Sequence, residues 1–270
     1  MTGQQLPGRV VGGHPRVALI TGAATDIGRA TARRLAREGL AVVLCGTPWR
    51  LLDELSAEIR GAGGRGLVVE ADVNKETEVQ TAVLRAVGWQ GYIDVLVNCA
   101  GIEECRSWEE TDLSEWEGHL RANLTSVFLC CRAVTPHMRM RRYGKIVNVA
   151  SSAGRYRSSY FRHGAAVRAG VPYASAQGGV LALTRELAFE VAGDGIYVNA
   201  VVSGLISTMQ MAGEWSRLPE HVRKDILAET ALGRLGEPDE VAGAIGFLAS
   251  DASSYVTGTS LDVNGGWWMS

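Results

Sequence analysis

Short runs rich in β-branched residues alternate along this chain with longer segments of helical period, and that alternation restricts the fold more than any other feature. The strand-like runs fall at 16–21, 41–45, 67–70, 93–98, 145–150, 196–201 and 260–263. Amphipathic segments lie between them near 27–38, 49–60, 74–88, 111–138, 173–192 and 237–250. Strands that alternate with helices pair in parallel, because a parallel neighbour needs a long crossover connection. Right-handed crossovers then wind helices over both faces of one sheet and leave a ligand crevice at the carboxyl ends of the strands. The expected fold is α/β, a doubly wound parallel sheet. With 270 residues and neither an internal repeat nor a low-complexity linker, one core suffices. Residues 1–15, rich in Gly, Pro and Gln, are read as an N-terminal tail, and 16–270 as a single domain.

Composition narrows the function classes. An apolar fraction of 46%, a charged fraction of 21% and a net charge of −2 describe an ordinary globular protein, without the basic footprint that nucleic acid or an anionic membrane requires. The apolar runs are strand-length, too short for a membrane span. No charged segment followed by an apolar one opens the chain, so a cytoplasmic location is expected. The five cysteines form no C-x-x-C pair and the five histidines have no ligand spacing, so no metal site is expected. Cys130 and Cys131, in an apolar helical stretch, read as packing residues rather than a redox pair.

The first strand runs into Thr21-Gly22-Ala23-Ala24-Thr25-Asp26-Ile27-Gly28, which opens a helix. Gly22 permits a tight turn, Gly28 permits close packing of helix on strand, and the helix N-terminus offers free N–H groups to a pyrophosphate. Asp72-Val73 follows the third strand, Asn98-Cys99-Ala100-Gly101 ends the fourth, and Tyr173 stands four residues before Gln177. Val256-Thr257-Gly258 leads to Asn264-Gly265-Gly266 near the C-terminus. In this order, over residues 16–268, the motifs resemble the short-chain dehydrogenase/reductase family, which implies a single-domain Rossmann-like fold and a nicotinamide dinucleotide.

The resemblance further implies that Asp72 bonds the adenine amino group, that Asn98 sits beside the cofactor ribose, and that Thr208 bonds the nicotinamide carboxamide. Thr21, Val73, Ala100 and Gly101 belong to the same set. Ser203 replaces the family's usual proline, and Asn264, where the family has Asp, reads as structural. Asp26 replaces a glycine. A carboxylate beside a pyrophosphate is electrostatically unfavourable, and the expected role is a cap on a helix beginning at Ile27, with Arg29 offsetting the charge. NAD enzymes place an acid after the second strand. This chain has Gly46-Thr47-Pro48-Trp49-Arg50 there, so Thr47 or Arg50 meeting a 2′-phosphate favours NADP(H), with NAD(H) the alternative. The other reading of Arg50 is a solvated helix residue.

In this family a Tyr donates a proton, a Ser holds the substrate oxygen, a Lys lowers the Tyr pKa while bonding the ribose, and an Asn completes a water relay. Tyr173, Ser151 and Asn123 match the first, second and fourth. The lysine position is Gln177. Glutamine can bond ribose hydroxyls but brings no charge. A unit charge about 4 Å away at an effective dielectric near 20 is worth roughly 4 kcal/mol, or about three pKa units. Without it Tyr173 is expected to stay protonated at neutral pH, able to assist reduction of a carbonyl, enone or imine and poor as a base for oxidation.

The interval from Ser151 to Tyr173 is longer than the family's usual spacing. Its extra residues, in the loop 155–171, include Arg155, Tyr156, Arg157, Tyr160, Phe161, Arg162 and His163. They read either as a wall for an anionic or aromatic small molecule or as a solvated loop. Residues 205–230, with Met209, Met211, Trp215 and Leu218, fall where the family carries a substrate lid. Members of the family assemble as homotetramers or homodimers. Loss of the lysine also leaves open a non-redox isomerase, dehydratase or cyclase, or a cofactor-binding protein without turnover.

Overall fold

The computed structural model describes residues 15–103, 106–156 and 170–269. Its seven strands all run parallel: β1 (Val17–Thr21), β2 (Ala41–Gly46), β3 (Arg65–Glu70), β4 (Val95–Asn98), β5 (Gly144–Ser151), β6 (Ile196–Ser203) and β7 (Ser260–Val263). Near-continuous apolar runs, rather than apolar residues at every second position, let the central strands be buried on both faces. Val17 and Leu19 of β1 enter one core while Ala18 and Ile20 enter the other, and β2 repeats the pattern with Val43 against Val42 and Leu44.

Helices cover both faces. On one lie α3 (Glu76–Gln90), α5 (Ser126–Arg141) and α6 (Val171–Val191), packed through Val79, Val83, Val134 and Val180. On the other lie α1 (Asp26–Arg37), α2 (Trp49–Gly61) and α9 (Pro238–Ala249), packed through Leu35, Leu52, Leu55 and Ile245. Cys130 and Cys131 are both buried in the first core with free thiols. No helix among the described residues is long and apolar enough to cross a membrane.

The strand order β3-β2-β1-β4-β5-β6-β7 puts the reversal of winding between β1 and β4, where Thr21 pairs with Asn98. A crevice opens beyond the carboxyl ends of the strands at such a point. The 111–138 segment forms two helices, α4 (Leu113–Leu120) and α5, joined by a widened π-type turn over Arg121–Thr125. The 205–230 segment holds two short helices, α7 (Met209–Trp215) and α8 (Glu220–Ala228). Met211, Leu218, Val222 and Ile226 give it a small apolar cluster of its own. Of the N-terminal segment only Pro15 is described, and Arg157–Ala169 of the loop after Ser151 lies outside the described residues.

Candidate active site

At the reversal point lies a cleft of about 360 Å³ whose walls include Ser151, Tyr173, Gln177 and Asn123. They arrive by three routes. Ser151 ends β5, and its Oγ accepts the Ala153 N–H at 3.2 Å. Tyr173 and Gln177 are one turn apart on α6, so both face the same side. Asn123 sits in the π-type turn, with Nδ2 donating to the His119 carbonyl at 3.1 Å and Oδ1 accepting the Ile102 N–H at 3.0 Å. A π-turn inside a helix often marks a functional position. Here it lets one side chain tie α4 to the loop after β4. Helical periodicity across 111–138 held no sign of the extra residue.

The floor is the β1–α1 turn. Gly22 has φ +61, and a Cβ there would stand 2.6 Å from Ala100 N. A Cβ on Gly28 would run into the Gly22 carbonyl oxygen. Both glycines are therefore needed for backbone to approach backbone, as the motif implied. Thr21 is buried, and its Oγ1 accepts the Cys99 and Ala100 N–H groups at 3.2 and 3.4 Å, fastening β1 to the exit of β4.

One expectation is corrected, and two side chains are engaged by protein partners. Asp26 is not the cap of α1: Thr25 is, its Oγ1 accepting the Gly28 N–H at 3.1 Å, and Asp26 is the first helical residue. The Asp26 carboxylate instead accepts the Met209 N–H at 2.8 Å, which joins the start of α1 to the start of α7. Adjacent Thr and Asp are both good caps, so sequence could not choose between them. The Asn98 side chain turns into the protein, donating to Asn148 at 2.9 Å and to Cys131 Sγ at 3.4 Å, and does not line the cleft. Arg50 is 86% exposed and bound to Glu54 at 2.9 Å.

The remaining positions divide by location. Asp26, Ile27, Ala100, Gly101 and Thr208 line the cleft, and Thr208 Oγ1 accepts the Met211 N–H at 3.1 Å. Thr47, Asp72 and Val73 lie away from it around the ends of β2 and β3, with Val73 packed in the core. The Asp72 carboxyl is held below its ordinary range chiefly by the Asn74 N–H, at 3.0 Å. Asn264 bonds Gly266 N and the Trp268 carbonyl, in keeping with a structural role. Arg155 is engaged by Asp262 at 3.0 Å, and Arg157, Arg162 and His163 lie outside the described residues. Among the described residues no cluster of His, Cys, Asp and Glu can hold a metal.

The residues present fit a dinucleotide. The glycine turn brings bare backbone to the α1 N-terminus, a place suited to phosphate oxygens. Gln177, only 6% exposed on the cleft wall, has an Oε1 with no hydrogen-bond partner among the described residues. A buried acceptor left without a donor is uncommon in proteins, and a ligand hydroxyl would satisfy it.

The family model for enoyl-(acyl carrier protein) reductase matches residues 22–268. Cis-4-hydroxycyclohexanecarboxylate dehydrogenase of Sinomonas cyclohexanicum is 42% identical over 93% of this chain and 96% of its own. A (2S)-[(R)-hydroxy(phenyl)methyl]succinyl-CoA dehydrogenase subunit of Thauera aromatica is 39% identical over 93% and 96%. A crystal structure of a candidate gluconate dehydrogenase from Agrobacterium tumefaciens superposes with a TM-score of 0.85 at 35% identity, over 93% of this chain and 95% of its own. The chain belongs to the short-chain dehydrogenase/reductase family. It is an oxidoreductase on a Rossmann-like fold.

Proposed function

We propose that the protein reduces a carbonyl group of a small molecule with a nicotinamide dinucleotide, Tyr173 giving the proton and Ser151 holding the oxygen. The observation that carries this reading is the convergence of Ser151, Tyr173, Asn123 and Gln177 on one cleft. The dinucleotide, when bound, supplies the hydride to the carbonyl carbon. Tyr173 Oη delivers its proton to the carbonyl oxygen as negative charge develops there. Ser151 Oγ, whose lone pair is engaged by the Ala153 N–H, turns its own hydrogen toward the same oxygen. Asn123, fixed by two backbone bonds, holds the water that returns a proton to Tyr173. Gln177 Oε1 accepts from a ribose hydroxyl, and Thr208 holds the carboxamide.

The substrate is a small anionic molecule with a ring. Met209, Met211, Leu205 and Ile206 give the cleft an apolar side, suited to a ring. The Sinomonas and Thauera relatives are named for carboxylate- or CoA-bearing compounds with a ring and a hydroxyl group. Residues 205–230 act as the lid that excludes water from the reacting atoms. The test is nicotinamide absorbance with a panel of cyclic and aryl keto acids, on the wild type and Tyr173→Phe. Turnover lost in the variant with dinucleotide affinity kept supports the assignment. Equal turnover in both removes Tyr173 from the chemistry.

A further inference from the structure

The catalytic end of the cleft leaves open which dinucleotide it takes, and the structure speaks to that at the other end. In doubly wound sheets the adenosine ribose lies at the carboxyl end of the second strand, where an acid suits a 2′-hydroxyl and a cation suits a 2′-phosphate. Gly46-Thr47-Pro48 carries neither. The third strand supplies the missing group. Glu70 is the last residue of β3 and pairs in register with Gly46, the last of β2. Its Oε1 accepts the N–H of Trp49, the first residue of α2, at 3.1 Å. A carboxylate thus stands beside Gly46 and Thr47 and takes the amide that a phosphate oxygen would otherwise use.

Three cations of α1, α2 and the β3–α3 turn are already paired. Arg50 Nε is bound to Glu54 at 2.9 Å, Arg33 to Glu58 at 2.7 Å, and Lys75 to Glu78 at 2.9 Å and to Asp72 at 3.6 Å. A phosphate monoester carrying about −1.5 to −2 charges would face the Glu70 carboxylate with no uncommitted partner among these. A ribose hydroxyl meets no such repulsion and can donate to a carboxylate.

We propose that Glu70 is a specificity-determining residue that excludes the 2′-phosphate and directs the chain to NAD(H). This rests on the dinucleotide reading above and reverses the preference that Thr47 and Arg50 suggested in the sequence. Glu70 is solvent-exposed, so the discrimination is electrostatic and weakens as salt rises.

The experiment is a calorimetric titration of the full chain with NADH and NADPH at low and high salt, on the wild type and Glu70→Gln. The glutamine keeps an acceptor for the Trp49 N–H and removes the charge. The wild type is expected to bind NADH at least about tenfold tighter at low salt, equivalent to about 1.4 kcal/mol. Glu70→Gln closes most of that gap by tightening NADPH while NADH changes little. Should Glu70→Gln melt early, Thr47→Arg asks the same question by adding a cation, with a gain in NADPH affinity expected. A wild type that binds NADPH as tightly as NADH, or a ratio that neither variant moves, overturns the proposal. Binding of neither dinucleotide overturns the proposed function itself and this inference with it.

Discussion

Restoring the charge at Gln177 is the perturbation that reaches furthest into the chemistry. Tyr173 and Gln177 are one turn apart on α6 and are 9% and 6% exposed. Side chains at that spacing approach to about 5–6 Å. At an effective dielectric near 20 a unit charge there is worth roughly 3 kcal/mol, which lowers the proton affinity of Tyr173 by about two units. The introduced ammonium must itself survive burial. Lys145, 1% exposed, gives the scale: desolvation pushes it down to about 8 against the pull of Asp251. A lysine depressed that far is still about nine-tenths charged at pH 7, so Gln177→Lys delivers most of its charge.

The two reaction directions respond differently. Reduction uses Tyr173 as an acid, and a more acidic phenol changes its rate little. Oxidation needs Tyr173 as a base, and two units of proton affinity raise the competent fraction by up to a hundredfold at neutral pH. Initial rates in both directions, measured from about pH 6 to pH 9, are expected to show the oxidation profile of Gln177→Lys displaced to lower pH by about two units, with reduction moved far less. Superposable oxidation profiles for the two proteins would refute the electrostatic argument and remove Tyr173 from the base role.

Other consequences follow from single contacts. Asp26→Asn keeps an acceptor for the Met209 N–H while removing charge beside the α1 N-terminus, so dinucleotide affinity measured by calorimetry should rise severalfold; unchanged affinity means that the carboxylate does not face the phosphates. Gly28→Ala drives a methyl into the Gly22 carbonyl and should destabilise by about 1–3 kcal/mol, read by urea denaturation, with dinucleotide binding lost. Thr25→Ala removes the α1 cap and should lower stability by about 1 kcal/mol; unchanged stability would contradict that cap. Alkaline pH should unfold the protein. Burial raises the thiols of Cys45 and Cys131 to about 12, Cys99 to about 11, and Cys130 well above its ordinary value. Groups raised on folding add stability below their unfolded pKa near 9 and lose it above. The loss is about 1.4 kcal/mol per thiol per pH unit, and Lys145, depressed to about 8, offsets one of the four up to its unfolded pKa. Urea midpoints flat from about pH 9 to pH 11 would contradict these burials.

The strands and most helices were legible because their burial leaves a direct trace. A strand covered on both faces must be largely apolar, and Val95–Val97 or Ala200–Val202 can serve little else. The candidate catalytic residues came from a resemblance spread over several motifs, which no periodicity could have replaced. What sequence missed depends on contacts between distant positions. The Asp26–Met209 bond spans 183 residues, and whether Thr25 or Asp26 caps α1 depends on where α7 begins. Glu70 went unremarked because an acid at the end of a strand is ordinary. Its meaning comes from the register that sets it beside Gly46.

By the resemblance, Asp26 and Gln177 set the charge of this cleft apart from the family's usual pattern, and Glu70 adds a carboxylate at the neighbouring sheet edge. The glycine turn, the serine, the tyrosine and the asparagine are kept, so a dinucleotide and a carbonyl still meet in the same arrangement. A positive charge is missing at Gln177, and negative charges stand at Asp26 and Glu70. All three changes make the cleft a less favourable host for phosphate. A site so altered retains affinity only if other contacts carry more of the binding. The Asp26 bond to the Met209 N–H indicates where: α7 is held at the cleft before any ligand arrives. With 205–230 acting as the proposed lid, closing it is then less of the work of binding, and dinucleotide affinity is expected to depend on the Asp26–Met209 bond.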